Sequence, residues 1–266
     1  MLIGIMQGRL LPPEPERFQA FPRDRWQREF ALAHTAGLQS IEWIYDVYGA
    51  DVNPIATDEG IASIKQLAAE THVSVVSLCA DYFMDRPALD PGKLVWLLER
   101  CQSAGISRVV LPFVDASRIE SAEHAERVIA MLREVLPEAA SRDVEIHLET
   151  SLDPYSFATL LNALPHAFLK ANYDSGNSAS LGYSPTEEFG AYGERIGSVH
   201  IKDRVRNGGT VPLGSGAADF PALFQELGRV NYRGDFILQV ARGTAGDELS
   251  LAQRNLSWLQ SRVTQL

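Results

Sequence analysis

Short apolar runs alternate with longer amphipathic stretches along the whole chain. Leu2–Met6 (LIGIM), Ser40–Ile44, Val73–Leu78, Arg108–Leu111, Val144–Glu149, Phe168–Asn172, Ser198–Ile201 and Phe236–Val240 read as strands, each short and rich in branched or aromatic side chains. Between them, Asp24–Ala36, Thr57–Glu70, Pro91–Ala104, Ser121–Ala140, Pro154–Ala163, Pro185–Arg195, Asp219–Leu227 and Leu249–Val263 carry helical spacing. Gly37, Gly105 and Gly228 sit where helices should stop, and Pro137 predicts a kink or an early end in the long fourth helix.

Eight strands alternating with eight helices imply a parallel sheet, because parallel neighbours need crossover helices. An open doubly wound sheet would usually carry a glycine-rich phosphate loop after its first strand, and GxGxxG is absent there. The count and the 266-residue length favour a closed (β/α)8 barrel, an α/β TIM barrel occupying residues 1–266 as one domain. No linker or internal repeat suggests a second unit.

Charge narrows the partners. The formal net charge is −10 and no Lys/Arg-rich run occurs, which argues against nucleic acid. Cys79 and Cys101 lie in apolar surroundings without CxxC spacing, so neither a disulfide framework nor a thiolate zinc site is expected. The opening MLIGIMQGRL lacks a basic lead, its apolar stretch is too short for a signal peptide, and no run approaches the roughly 18 apolar residues of a membrane span. A soluble, cytoplasmic protein with no membrane partner is the expectation.

Barrel enzymes place their sites at the C-terminal strand ends. Alternation along each strand decides which residues point inward. In the fifth strand Val144, Ile146 and Leu148 should face the helices, turning Glu145, His147 and Glu149 inward. The same parity sends His200 and Lys202, Gln239, and Asn172 with Asp174 into the barrel. Two carboxylates, an imidazole and an amide thus converge from four consecutive strands. Burying two carboxylates together costs several kcal/mol without a cation. Oxygen ligands plus one histidine suit one divalent ion, Mn²⁺, Mg²⁺, Co²⁺ or Zn²⁺, held by Glu149, Asp174, His200 and Gln239.

These residues also carry a resemblance. GIMQGRL, IEW, LET with Glu149, YDSGN with Asp174, VHIKD with His200, PLGSGAADF and RGDFILQV recur in that order over nearly the whole chain. The chain resembles the sugar phosphate isomerase/epimerase family of xylose isomerase-like barrels, which includes ketose 3-epimerases and relatives of endonuclease IV. The resemblance implies a metal held by Glu149, Asp174 and His200, and a cis-enediolate mechanism with two glutamates on opposite faces of the substrate carbon. Relatives carry glutamate where Gln239 stands, and often histidine where Asn177 stands. An amide is not a usable general base. The substitution therefore tilts the expectation from epimerase toward ketose–aldose isomerase, with Glu149, Gln239 and Lys202 as the catalytic set. Glu42, His147 and Asp81 are candidates for a second acid/base.

Substrate binding falls to Arg9, Glu42, Asn177 and Arg242, whereas Arg204 and Arg206 read as solvated surface charges. The loop Pro212–Ala217 (PLGSGA) offers backbone N–H groups as an anion cradle. Trp43, Tyr82, Phe83 and Phe113 are candidate pocket walls. The expected substrate is a small polyol, sugar or sugar phosphate. A dehydratase or lyase on the same site is the alternative, or a non-catalytic sugar-binding barrel. A repair nuclease is disfavoured by the acidic charge and by six histidines in all. Relatives self-associate, so a homodimer or homotetramer is the resemblance's expectation.

Overall fold

The computed structural model describes residues 1–84 and 89–264. Eight parallel strands close into a barrel: Ile3–Met6, Ser40–Ile44, Ser74–Cys79, Arg108–Phe113, Glu145–Thr150, Leu169–Asp174, Ile196–Ile201 and Asp235–Leu238. They follow one another around the barrel in chain order, and the last pairs with the first through Ile5↔Leu238. Register brings Asp174 level with His200, and His200 level with Ile237. The strand ends that carry the chemistry therefore open on one face.

Alternation accounts for the packing. Val109, Leu111, Ile146, Leu148, Tyr173, Val199, Ile201, Phe236 and Leu238 are buried, and the surrounding helices add buried faces such as Leu94, Leu97 and Leu98. Fully burying one such aliphatic side chain stabilises the fold by about 1.5–3 kcal/mol. The opposite parity carries the barrel's polar side chains, with apolar Val110 and Ile237 among them. Inside the barrel Arg108 pairs with Asp235 at 2.9 Å, His147 lies 2.7 Å from Ser198 Oγ, and Ser198 donates to Asn172 at 2.6 Å. Buried polar groups are tolerable only when partnered in this way.

Several expectations change. Pro137 does not break its helix, which runs Ala122–Ser141. Proline removes only one N–H, here in the final turns, where the loss of one bond is tolerated. Gly228 lies within the helix Phe220–Arg229 rather than after it. An extra helix, Ser175–Leu181, follows the sixth strand, and a hairpin pairs Asp203–Arg204 with Thr210–Val211 beyond the seventh. Both are too short to leave a periodic signature. No helix among the described residues is long and apolar enough to cross a membrane.

Candidate active site and metal centre

A cavity of about 570 Å³ opens at the C-terminal face of the barrel. Glu149, Lys202, Gln239 and Asn177 line it, with Gln19, Asp81, Arg17 and Arg204. Beside its base, ligand atoms of Glu149, Asp174 and His200 lie within 4.8 Å of one another, all three residues buried.

Local structure aims each donor. Asp174 ends the sixth strand and caps the helix that follows, its Oδ1 accepting from the N–H groups of Gly176 (2.9 Å) and Asn177 (2.8 Å). That use of one oxygen leaves Oδ2 toward the cluster. Lys202 reaches the same place across Gly176: a Cβ there would lie 2.6 Å from Lys202 Cγ, so only glycine fits. Lys202 Nζ then stands 3.4 Å from Asp174 Oδ2 and 3.2 Å from Gln239 Oε1. Ser175 fastens the two strand ends, donating to the Lys202 carbonyl at 2.7 Å.

Beneath the cluster, Glu42 lies fully buried with Oε1 2.7 Å from His200 Nε2, while Ser77 donates to its other oxygen. The pair orients the imidazole so that Nδ1 sits 3.3 Å from Glu149 Oε2, with no well-formed hydrogen bond of its own. A carboxylate behind a histidine whose other nitrogen faces open donors is the usual support of a metal ligand. Burial alone would lower the His200 pKa, but Glu42 and Glu149 outweigh it and raise it to about 10. Glu42 is held below its usual range despite burial, by His200 and Ser77. Burial favours the neutral form of Glu149, yet His200, Lys202 and Asn172 together hold it low. Asp174 is shifted upward by burial.

Two arginines set the polarity of two amides. Arg204 Nη1 donates to Asn177 Oδ1 at 2.8 Å, so the Asn177 amide nitrogen faces Glu149 Oε1, at 2.6 Å. Arg9 Nη2 donates to Gln19 Oε1 at 3.0 Å, which also accepts from Gln239 Nε2 at 3.1 Å. Arginine only donates. Gln239 must therefore turn its nitrogen to Gln19 and its carbonyl oxygen to Lys202 and the acidic cluster.

The sequence candidates divide accordingly. Glu149, Asp174, His200, Lys202, Gln239 and Asn177 come together. Glu42 lies below the cavity. Arg9 and Arg242 face a separate cavity of about 140 Å³ and strap the long loop after the first strand, bonding Val240, Phe18 and Leu11 carbonyls. His147 sits lower in the barrel with Glu145 at 2.8 Å. Arg204, read as a solvated charge, instead lines the cavity, anchored by the Gly208 carbonyl at 2.9 Å. The PLGSGA cradle is already filled: the N–H groups of Gly214, Gly216 and Ala218 bond the Asp203 carboxylate at 2.9, 2.8 and 3.1 Å. Trp43 is fully buried in a cluster with Phe21, Trp26 and Phe30. Phe83 and Phe113 are buried too, and Phe18, Met84 and Val114 wall the cavity in their stead. Gln19 went unnoticed because it lies in a loop without periodicity, and Arg17 for the same reason.

Residues 30–262 match the profile of the xylose isomerase-like TIM barrels. Among curated proteins, the chain is 23% identical over 262 residues to the L-ribulose-5-phosphate 3-epimerase UlaE of Escherichia coli, covering 90% of each chain. A shorter match, 28% identical over 97 residues, is to the putative L-ribulose-5-phosphate 3-epimerase SgbU of Escherichia coli and spans 34% of either chain. Among solved structures, the IOLI protein with a bound zinc atom superposes with a TM-score of 0.76 at 17% identity, over 98% of this chain and 99% of that one.

Proposed function

Because the chain belongs to the xylose isomerase-like TIM barrel family, we propose that it is a divalent-metal-dependent isomerase or epimerase of a sugar or sugar phosphate. The observation that carries this activity is the convergence of Glu149, Asp174 and His200 donors within 4.8 Å beside a cavity of about 570 Å³. The donor set fits a divalent ion: two carboxylates neutralise it, buried His200 Nδ1 makes no well-formed hydrogen bond among the described residues, and the Gln239 carbonyl oxygen points the same way. A bound ion supplies Lewis acidity toward neighbouring carbonyl and hydroxyl oxygens of a substrate.

The chain's own residues do the remaining work. Glu149, held ionised and steadied by Asn172 at 2.8 Å and Asn177 at 2.6 Å, takes a proton from the carbon beside the carbonyl. The electron pair moves onto the carbonyl oxygen, leaving an enediolate. When the proton comes from C3 of a ketose, proton return to that carbon from the opposite face gives the 3-epimer; when it comes from C1, proton delivery to C2, with the O1 hydroxyl proton passing to O2, gives the aldose. Lys202 offers its ammonium to the developing oxyanion. Arg17 and Arg204, both among the lining residues, supply cations suited to a phosphate.

Metal analysis of the purified protein and of Asp174→Ala and His200→Ala tests this. One ion per chain in the parent, lost from both variants, is expected, followed by solvent deuterium entering a ketose or ketose phosphate. No bound ion after incubation with Mn²⁺, Co²⁺ and Zn²⁺ refutes it.

A further inference from the structure

Inverting a carbon centre requires proton removal from one face and delivery to the other. Glu149 reaches one face, and the amide of Gln239 cannot transfer a proton in this way. Among the described residues, the carboxylates lining the cavity are Glu149, Asp46, Asp81 and Asp115. Asp46 is committed to the backbone, one oxygen accepting from Phe21 at 2.8 Å and the other from Gly49 at 2.7 Å. Asp115 stands at the exposed rim, 3.7 Å from Arg204. Asp81 differs from both. It lies just past the third strand, its Oδ2 accepting from Gln19 Nε2 at 2.8 Å and its Oδ1 3.1 Å from Cys79 Sγ, without an ion pair within 4.0 Å among the described residues.

We propose that Asp81 is the second acid–base group of the site, acting on the face of the substrate carbon opposite Glu149, and that this makes the protein an epimerase rather than a simple isomerase. The assignment rests on the isomerase or epimerase activity proposed above. Gln19 binds both Gln239 and Asp81, so the Asp81 carboxylate stands one side chain away from position 239. No hydrogen bond joins it to Glu149 among the described residues, although that carboxylate is near enough to add like charge, and the fourth strand separates the two in the barrel order. Burial, with Asp46 and Glu149 adding like charge and Gln19 and Cys79 opposing, raises its carboxyl to about 6, where it both donates and accepts near neutrality. The protons balance. Glu149 takes one from carbon, Asp81 delivers one to the other face as the electron pair returns from oxygen, and both carboxyls then exchange with water.

Asp81→Asn keeps an oxygen for the Gln19 donor and suits the test. Each variant is loaded with Mn²⁺ in D₂O and followed by NMR on the ketose or ketose phosphate that the parent turns over. Expected are loss of epimer by at least about 100-fold, continued deuterium entry into the one epimer that Glu149 deprotonates, and unchanged Mn²⁺ affinity by calorimetry. Glu149→Gln, which also removes a charged metal donor and so binds Mn²⁺ more weakly, should at saturating Mn²⁺ show deuterium entry only into the epimer that Asp81 deprotonates, and Asp81→Glu should restore epimer formation. Epimerisation by Asp81→Asn at the parent rate overturns the assignment, as does loss of exchange and epimer together with metal affinity intact. A parent that yields only aldose also overturns it while leaving isomerase activity standing. A parent that exchanges no sugar at all fails the broader proposal and this one with it.

Discussion

Gln239→Glu tests whether the amide at this position is built in. Gln239 Nε2 donates to Gln19 Oε1 at 3.1 Å, and that oxygen is already fixed by Arg9 at 3.0 Å. A carboxylate would set two acceptors face to face at the same separation. Gln19 cannot turn over to relieve this, because its nitrogen would then face the Arg9 donors and its bond to Asp81 would be lost. Attraction to Lys202 compensates little, since that ammonium also serves Asp174. Breaking such a buried arrangement costs roughly 1–3 kcal/mol. At about 2–4 °C per kcal/mol for a domain near this size, the metal-free variant should melt roughly 3–10 °C below the parent. Calorimetry in EDTA measures it directly. Saturating Mn²⁺ should shrink the gap, because a third carboxylate strengthens metal binding. A metal-free variant as stable as the parent would refute the fixed polarity of the Arg9–Gln19–Gln239 chain.

Other consequences follow from neighbouring groups. Glu29 is buried with Gly8 N–H on one oxygen and no well-formed hydrogen bond on the other among the described residues, and burial, opposed by the Gly8 and Leu10 N–H groups, raises its carboxyl to about 8. The folded state then binds an extra proton between the ordinary carboxyl range and pH 8, so stability falls as pH rises through that window. Melting of Glu29→Gln should accordingly gain on the parent from pH 5 to pH 9, and a constant difference would contradict it. In the metal-free protein, His200 at about 10 against an ordinary 6.5 contributes stability that is complete below the lower value and lost as pH rises toward the upper. Glu42→Gln should flatten that decline in melting temperature. Asp203→Ala frees three backbone N–H groups of the Gly214–Ala218 loop. Their partial exposure to water limits the cost to about 1–3 kcal/mol, measurable by urea denaturation, with turnover falling as Arg204 loses its hairpin.

The sequence by itself determined the barrel and the acidic cluster. Alternation of period two is a local property, so LET, YDS and VHI already declared which side Glu149, Asp174 and His200 would take, and closure of the sheet then brought them together. Tertiary structure alone decided what the remaining polar groups do. Arg9 and Arg242 sit near strand ends, as Lys202 does, yet their guanidinium groups turn to loop carbonyls, while Arg204 swings inward to Asn177. The glycine loop that reads as an anion cradle meets Asp203 of its own chain first. Which way an amide faces depends on which donor reaches it from a segment far off in sequence, as Arg9 reaches Gln19 and Gln19 reaches Gln239 across the closure of the barrel. A hydrogen bond joins groups in space, and only the folded chain specifies that neighbourhood.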